Sequence, residues 1–114
     1  MDVYSIVAVS DRARSVAWFE GFLGRPADEV IGEEYLWQVG ENAWVVLDDR
    51  DVRAGSVGRT MITFGVTDLD DILARLAEHG IAHEPVEIYG NGVRHVDVVD
   101  PDGNRLSLAE APAG

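Results

Sequence analysis

The sequence contains no cysteine and no lysine. Without cysteine there are no disulfides, thiol nucleophiles or cysteine-ligated metals, which fits a reducing compartment. Without lysine, nine arginines face 21 acidic residues, and the formal charge is −12. That balance argues against nucleic acid, whose binding depends on neutralising phosphates. The surplus of carboxylates keeps the chain soluble and favours a cationic ligand. Long apolar runs are missing as well. None reaches the roughly 18 residues that span a bilayer. No basic region precedes the stretch Val3-Tyr4-Ser5-Ile6-Val7-Ala8-Val9, as a signal peptide would require. A cytoplasmic protein with neither a membrane nor a nucleic-acid partner is expected.

What is present suffices for one core, since 46% of the 114 residues are hydrophobic. Residues 3–9 are apolar and β-branched, as in a strand. Ser10-Asp11 offers a helix N-cap, Val16, Phe19, Phe22 and Leu23 follow at helical spacing, and Gly24 stops the helix. Short strands fit at about 28–33, 35–39 and 43–48, with Gly40-Glu41-Asn42 turning between the last two. The polar segment 49–59 reads as a linker.

The pattern then repeats. Thr60 to Val66 is a strand. Thr67, with Asp70 three residues on, is the expected cap of a helix faced by Leu69, Ile72, Leu73 and Leu76 and ended by Gly80. Strands fit again at about 83–88, 93–99 and 104–110, with Asn91-Gly92 as a hairpin signal. In the turn Asp100-Pro101-Asp102-Gly103-Asn104, Pro101 fixes φ, while Gly103 and Asn104 tolerate positive φ. Beyond it Leu106 and Leu108 alternate with Ser107 and Ala109. Neither half could bury its sheet face alone, so two sheets curled around a shared cleft are expected.

Three stretches carry a family resemblance: Val9-Ser10-Asp11 leading into Ser15-Val16-Ala17-Trp18-Phe19 and Phe22-Leu23-Gly24; Phe64-Gly65-Val66-Thr67-Asp68-Leu69; and Asp100-Pro101-Asp102-Gly103-Asn104-Arg105-Leu106. In these the sequence resembles the vicinal oxygen chelate superfamily of glyoxalase I, extradiol dioxygenases, fosfomycin-resistance transferases and bleomycin-binding proteins. Tyr35-Leu36 and Ala43-Trp44-Val45-Val46-Leu47 resemble the fosfomycin enzymes in scaffold. The resemblance covers nearly the whole chain and implies an α+β domain over residues 1–114. Two tandem βαβββ modules, about 1–50 and 60–111, would form an open, cup-shaped mixed β-sheet with the helices outside. It also implies a homodimer.

Metal-dependent members place a histidine on the first strand of each module and a glutamate on the last strand. The corresponding positions here are Tyr4, seven residues before Asp11, Met61, seven before Asp68, and Ser107, seven after Asp100. Phenol, thioether and hydroxyl do not hold a divalent ion as imidazole and carboxylate do. No metal and no cofactor are therefore expected, and the family's Lewis-acid mechanisms fall away with the metal.

If Tyr4, Met61 and Ser107 point into the cup, strand alternation brings Ile6, Thr63 and Ala109 with them. Trp44 and Val46 would line the fourth strand, and His95 and Asp97 the seventh. Such an aromatic and weakly polar lining suits a flat or cationic organic molecule. Trp18 is expected to pack between its helix and the sheet, Trp44 rather than Trp37 to reach the pocket, and His79 and His83 to be exposed. Three functions compete. The first is metal-independent binding of a small, drug-like molecule. The second is a metal-free isomerase or lyase in which Asp97 orients His95 for proton transfer. The third is a metalloenzyme with displaced ligands, for which His95, Asp97 and Asp48 are the candidates.

Overall fold

The computed structural model describes residues 1–112. Strand β1 (Val3–Ala8) leads to Asp11, whose carboxylate accepts the Arg14 backbone N–H at 3.0 Å and caps α1 (Arg12–Leu23). The helix ends at Gly24, where φ is 83° and the N–H returns to the Glu20 carbonyl. A residue with a Cβ would be strained there. Strands β2 (Glu29–Ile31), β3 (Glu34–Gly40) and β4 (Ala43–Asp48) complete the first half. The segment expected as a plain linker contains a 3-10 helix at Asp51–Ser56.

The second half follows the same order: β5 (Met61–Val66), α2 (Leu69–Glu78), β6 (Glu87–Ile88), β7 (Arg94–Val99) and β8 (Arg105–Glu110). Two local expectations are corrected. Asp68, not Thr67, is the α2 N-cap, and its side chain makes no capping bond. Glu110 supplies the acceptor instead, taking the Leu69 N–H at 2.8 Å and placing a carboxylate at the positive end of the helix. The strand expected over 83–88 shrinks to two residues. The Glu84 N–H still reaches the Asp97 carbonyl at 2.9 Å, but Pro85 has no N–H to give, and the ladder breaks there. The Asn91-Gly92 turn is closed by the Gly92 N–H on the Tyr89 carbonyl, and of the pair only Gly92 has positive φ. In the later turn Gly103 has positive φ and Asn104 does not.

The strands form two mixed four-stranded sheets, ordered β1-β4-β3-β2 and β5-β8-β7-β6. The pairs β1–β4 and β5–β8 are parallel, and the rest are antiparallel. This is the expected α+β, twofold βαβββ architecture, and neither sheet closes into a barrel. Each helix covers one face of its sheet. Val7, Trp37, Val45 and Leu47 meet Phe19 and Phe22 in the first half, and Val96, Val98, Leu106 and Leu108 meet Leu69, Ile72 and Leu76 in the second. All join a single buried cluster. Each fully buried large side chain contributes about 1.5–3 kcal/mol of hydrophobic free energy.

A polar junction also ties the halves together. Buried Asn104 accepts the Thr60 N–H at 2.9 Å and donates its amide to the Ala8 carbonyl at 3.2 Å and the Asp100 carboxylate at 2.9 Å. Beside it, Asp102 accepts the Ser10 hydroxyl at 2.5 Å and an Arg14 N–H at 3.1 Å.

Candidate functional site

The sheet faces turned away from the helices gather the residues expected to contact a ligand. On the first sheet Tyr4 lies opposite Trp44, and Ile6 opposite Val46. The Tyr4 and Trp44 rings stack at 6.0 Å with 15° between their planes. The Trp44 indole N–H has no hydrogen-bond partner among the described residues. On the second sheet Thr63 lies opposite Ser107, Ser107 opposite Asp97, and His95 opposite Ala109. Met61 begins the same face. Both bare faces carry exposed side chains, Tyr4 at 53% on the first sheet and Met61 at 79% on the second. Trp37 points the other way, fully buried under α1, and donates its indole N–H to the Arg25 carbonyl at 2.9 Å. Trp18 is half-buried and stacks on Phe22 at 5.2 Å. His79 and His83 are exposed.

Asp97 is the polar centre of the second face. It accepts the Ser107 hydroxyl at 2.5 Å and an Arg105 N–H at 2.8 Å. The Ser107 bond, helped by Arg105 and His95, holds its carboxyl below the usual carboxylate range, so it is ionised at neutral pH. His95 Nε2 lies 3.6 Å from Asp97, too far for a hydrogen bond but close enough for electrostatic attraction. The His95 ring stacks on Tyr89 at 5.5 Å. Arg105 and Tyr89 were missed in the sequence. Strand alternation from Ser107 leads to Arg105, but no local spacing links Tyr89 to His95, since they meet across the β6–β7 hairpin.

The residues do not fit a divalent transition metal. Ser107 has spent its proton on Asp97, and the Tyr4 phenol and Met61 thioether are poor donors for such an ion. Asp48 does not join His95 and Asp97. It sits on the other sheet, fully buried, taking two side-chain N–H groups of Arg50 at 2.9 and 2.6 Å and one of Arg53 at 3.1 Å. Among the described residues no three of histidine, aspartate and glutamate converge on a point that could hold a metal. The displaced-ligand expectation is corrected accordingly: arginines two and five positions beyond Asp48 claim its oxygens.

The same pairing makes stability depend on acid. The Arg50 hydrogen bond, aided by Arg53, holds the Asp48 carboxyl well below its usual range, and the Arg94 bond lowers Glu110. A carboxyl whose pKa is lower folded than unfolded contributes its full stability above the unfolded value. That contribution is lost as pH falls toward the folded value. The urea midpoint should therefore hold steady down to about pH 5 and drop below it. In Asp48→Asn the drop should be shallower, and an equal drop would show that this pair is not responsible.

Two tandem βαβββ units, each with its helix on one side and bare sheet on the other, define the fold class. The family model described as Glyoxalase/Bleomycin resistance protein/Dioxygenase superfamily matches residues 3–108, and the chain belongs to that superfamily. It is similar to a glyoxalase/bleomycin resistance protein from Catenulispora acidiphila, with 34% identity and a TM-score of 0.88, covering 98% of this chain and 99% of that one. It is also similar to the oxidase ChaP-H1, with 26% identity and a TM-score of 0.79 over 100% of this chain and 98% of the other. TnmS3, an antibiotic binding protein from Streptomyces sp. CB03234, shares the fold at 23% identity and a TM-score of 0.77, covering 98% and 96%. No curated protein matches the sequence. No helix among the described residues is long and apolar enough to cross a membrane.

Proposed function

We propose that the chain is a metal-independent binding protein for a small organic molecule, acting in the cytoplasm as a homodimer. In this reading residues 1–114 act as one domain, and Tyr4, Ile6, Trp44, Val46, Met61, Thr63, His95, Asp97 and Ser107 contact the ligand. The stacked Tyr4–Trp44 pair carries the proposal. It offers a partly exposed aromatic surface, which suits a flat molecule or a cation drawn to the ring face. The −12 charge favours the cation. The second copy would cover the exposed Met61 and Tyr4 side chains. The likeness to a bleomycin resistance protein supports the same ligand class.

The test titrates bleomycin and a planar quinone into chelator-treated protein and follows tryptophan fluorescence. Saturable binding without turnover is expected, weakened about tenfold in Trp44→Leu. Absence of binding to either compound, or binding only after a divalent metal is restored, would overturn it.

A second reading rests on His95, held between the Tyr89 ring and ionised Asp97. That setting suits a proton-transferring isomerase or lyase. Here turnover is observed in chelator-treated protein, and His95→Ala removes it without unfolding the chain.

A further inference from the structure

The strands of the second sheet carry two arginines, and these turn opposite ways. Arg94 shares the helix side with buried Val96 and pairs with Asp70 and Glu110. Arg105 alternates with buried Leu106, so it stands on the bare face with Ser107. Its register neighbours there are Met61 on β5 and Val99 on β7. Both are apolar and open to solvent, Met61 at 79% and Val99 at 39%. One end of the bare face is thus a cation set between two exposed apolar side chains.

Arg105 is only partly engaged. One Nη donates to Asp97 at 2.8 Å, and among the described residues the other side-chain N–H groups have no acceptor. The side chain is 43% exposed, and α2 packs on the opposite face of the sheet. Asp97 also accepts the Ser107 hydroxyl, so its charge is shared between the two. The other carboxylate on the strands of this face, Glu87, is in register with His95, about 13 Å along the sheet from Arg105.

We propose, on the reading that the bare faces hold the ligand, that Arg105 selects it and that it is an aromatic carboxylate. The carboxylate would accept charge-assisted hydrogen bonds from the guanidinium. The ring would lie against Met61, whose thioether makes favourable contacts with aromatic edges. The −12 charge of the chain opposes an acid at long range, but salt screens that repulsion beyond about 8–10 Å, and the contact with Arg105 is local.

Cinnamate, cinnamyl alcohol and cinnamylammonium share one planar body and differ in the charge of the end group. Amide proton–nitrogen correlation spectra of the full chain with each of them test the assignment. Saturable shifts from cinnamate are expected at Met61, Val99 and Arg105, with binding about tenfold tighter than for the alcohol and none there from the ammonium. Arg105→Gln should erase the preference for cinnamate. Asp97→Asn keeps an acceptor for Ser107, frees the guanidinium and should tighten cinnamate about threefold. An arginine that served only to neutralise Asp97 would leave the preference unchanged in both variants. Met61→Glu, at a largely exposed position, sets a carboxylate beside Arg105 and should weaken cinnamate about tenfold. It decides the matter if Arg105→Gln does not fold. Equal binding of cinnamate and the alcohol, a preference that survives Arg105→Gln, or indifference to Met61→Glu would overturn the proposal and leave ligand binding on the bare faces intact. No saturable shift from any of the three would overturn it as well, while bleomycin and the quinone would still decide whether the bare faces bind.

Discussion

Asn104→Ala should lower folding stability by about 3–4 kcal/mol, although it removes no hydrophobic contact. The amide is fully buried and serves three partners at once: the Thr60 N–H, the Ala8 carbonyl and the Asp100 carboxylate. Each buried group left without a partner costs about 1–3 kcal/mol, and the costs add incompletely because the groups share one site. Asn104→Asp should be worse, since it sets a second carboxylate against Asp100 and loses the amide donor. Urea unfolding with unchanged m-value checks both. A loss under about 1 kcal/mol for the alanine variant would mean that water replaces the amide at this junction.

Gly58→Ala should cost about 2–4 kcal/mol. Its φ of +77° lies in the left-handed region, and a Cβ built there would overlap the Asp102 carbonyl oxygen. That carbonyl belongs to the turn whose side chain holds Ser10 and Arg14. Relieving the overlap would therefore pull on the junction itself. Gly55→Ala is the matched control: a Cβ there meets nothing within 4 Å. It should be neutral or stabilise by up to about 1 kcal/mol. Equal thermal midpoints for the two variants would show that the close approach at Gly58 does not matter.

Much of this architecture was legible in the sequence because its signals are local. Helical spacing with Gly24 and Gly80 marked both helices, while the family resemblance assigned Tyr4, Met61, Ser107 and His95 to the cup and strand alternation carried Ile6, Thr63 and Ala109 with them. What was hidden depends on partners far along the chain. The contact between Asn104 and Ala8 spans 96 positions, so Asn104 read only as a turn residue. The acceptor for the first α2 N–H is Glu110, 41 positions away, so the cap was sought in Thr67. Gly58 sat in a stretch read as linker because its close neighbour, Asp102, belongs to the final turn. Asp48 is the opposite case. Its arginine partners are only two and five positions on, a local signal that the choice of Asp48 as a candidate ligand overlooks.

The outermost strands have a further consequence. Val30, Ile31 and Ile88 lie on β2 and β6 with 56%, 58% and 72% of their surfaces exposed. Apolar side chains on a sheet edge are what a passing chain needs to extend the ladder, the first step toward aggregation. Here β2 offers three residues and β6 only two, with Pro85 withholding another N–H just before β6. So short a template gives an incoming strand too few hydrogen bonds to offset the entropy of ordering it. At these two edges, apolar side chains can thus stand in solvent without templating a further strand.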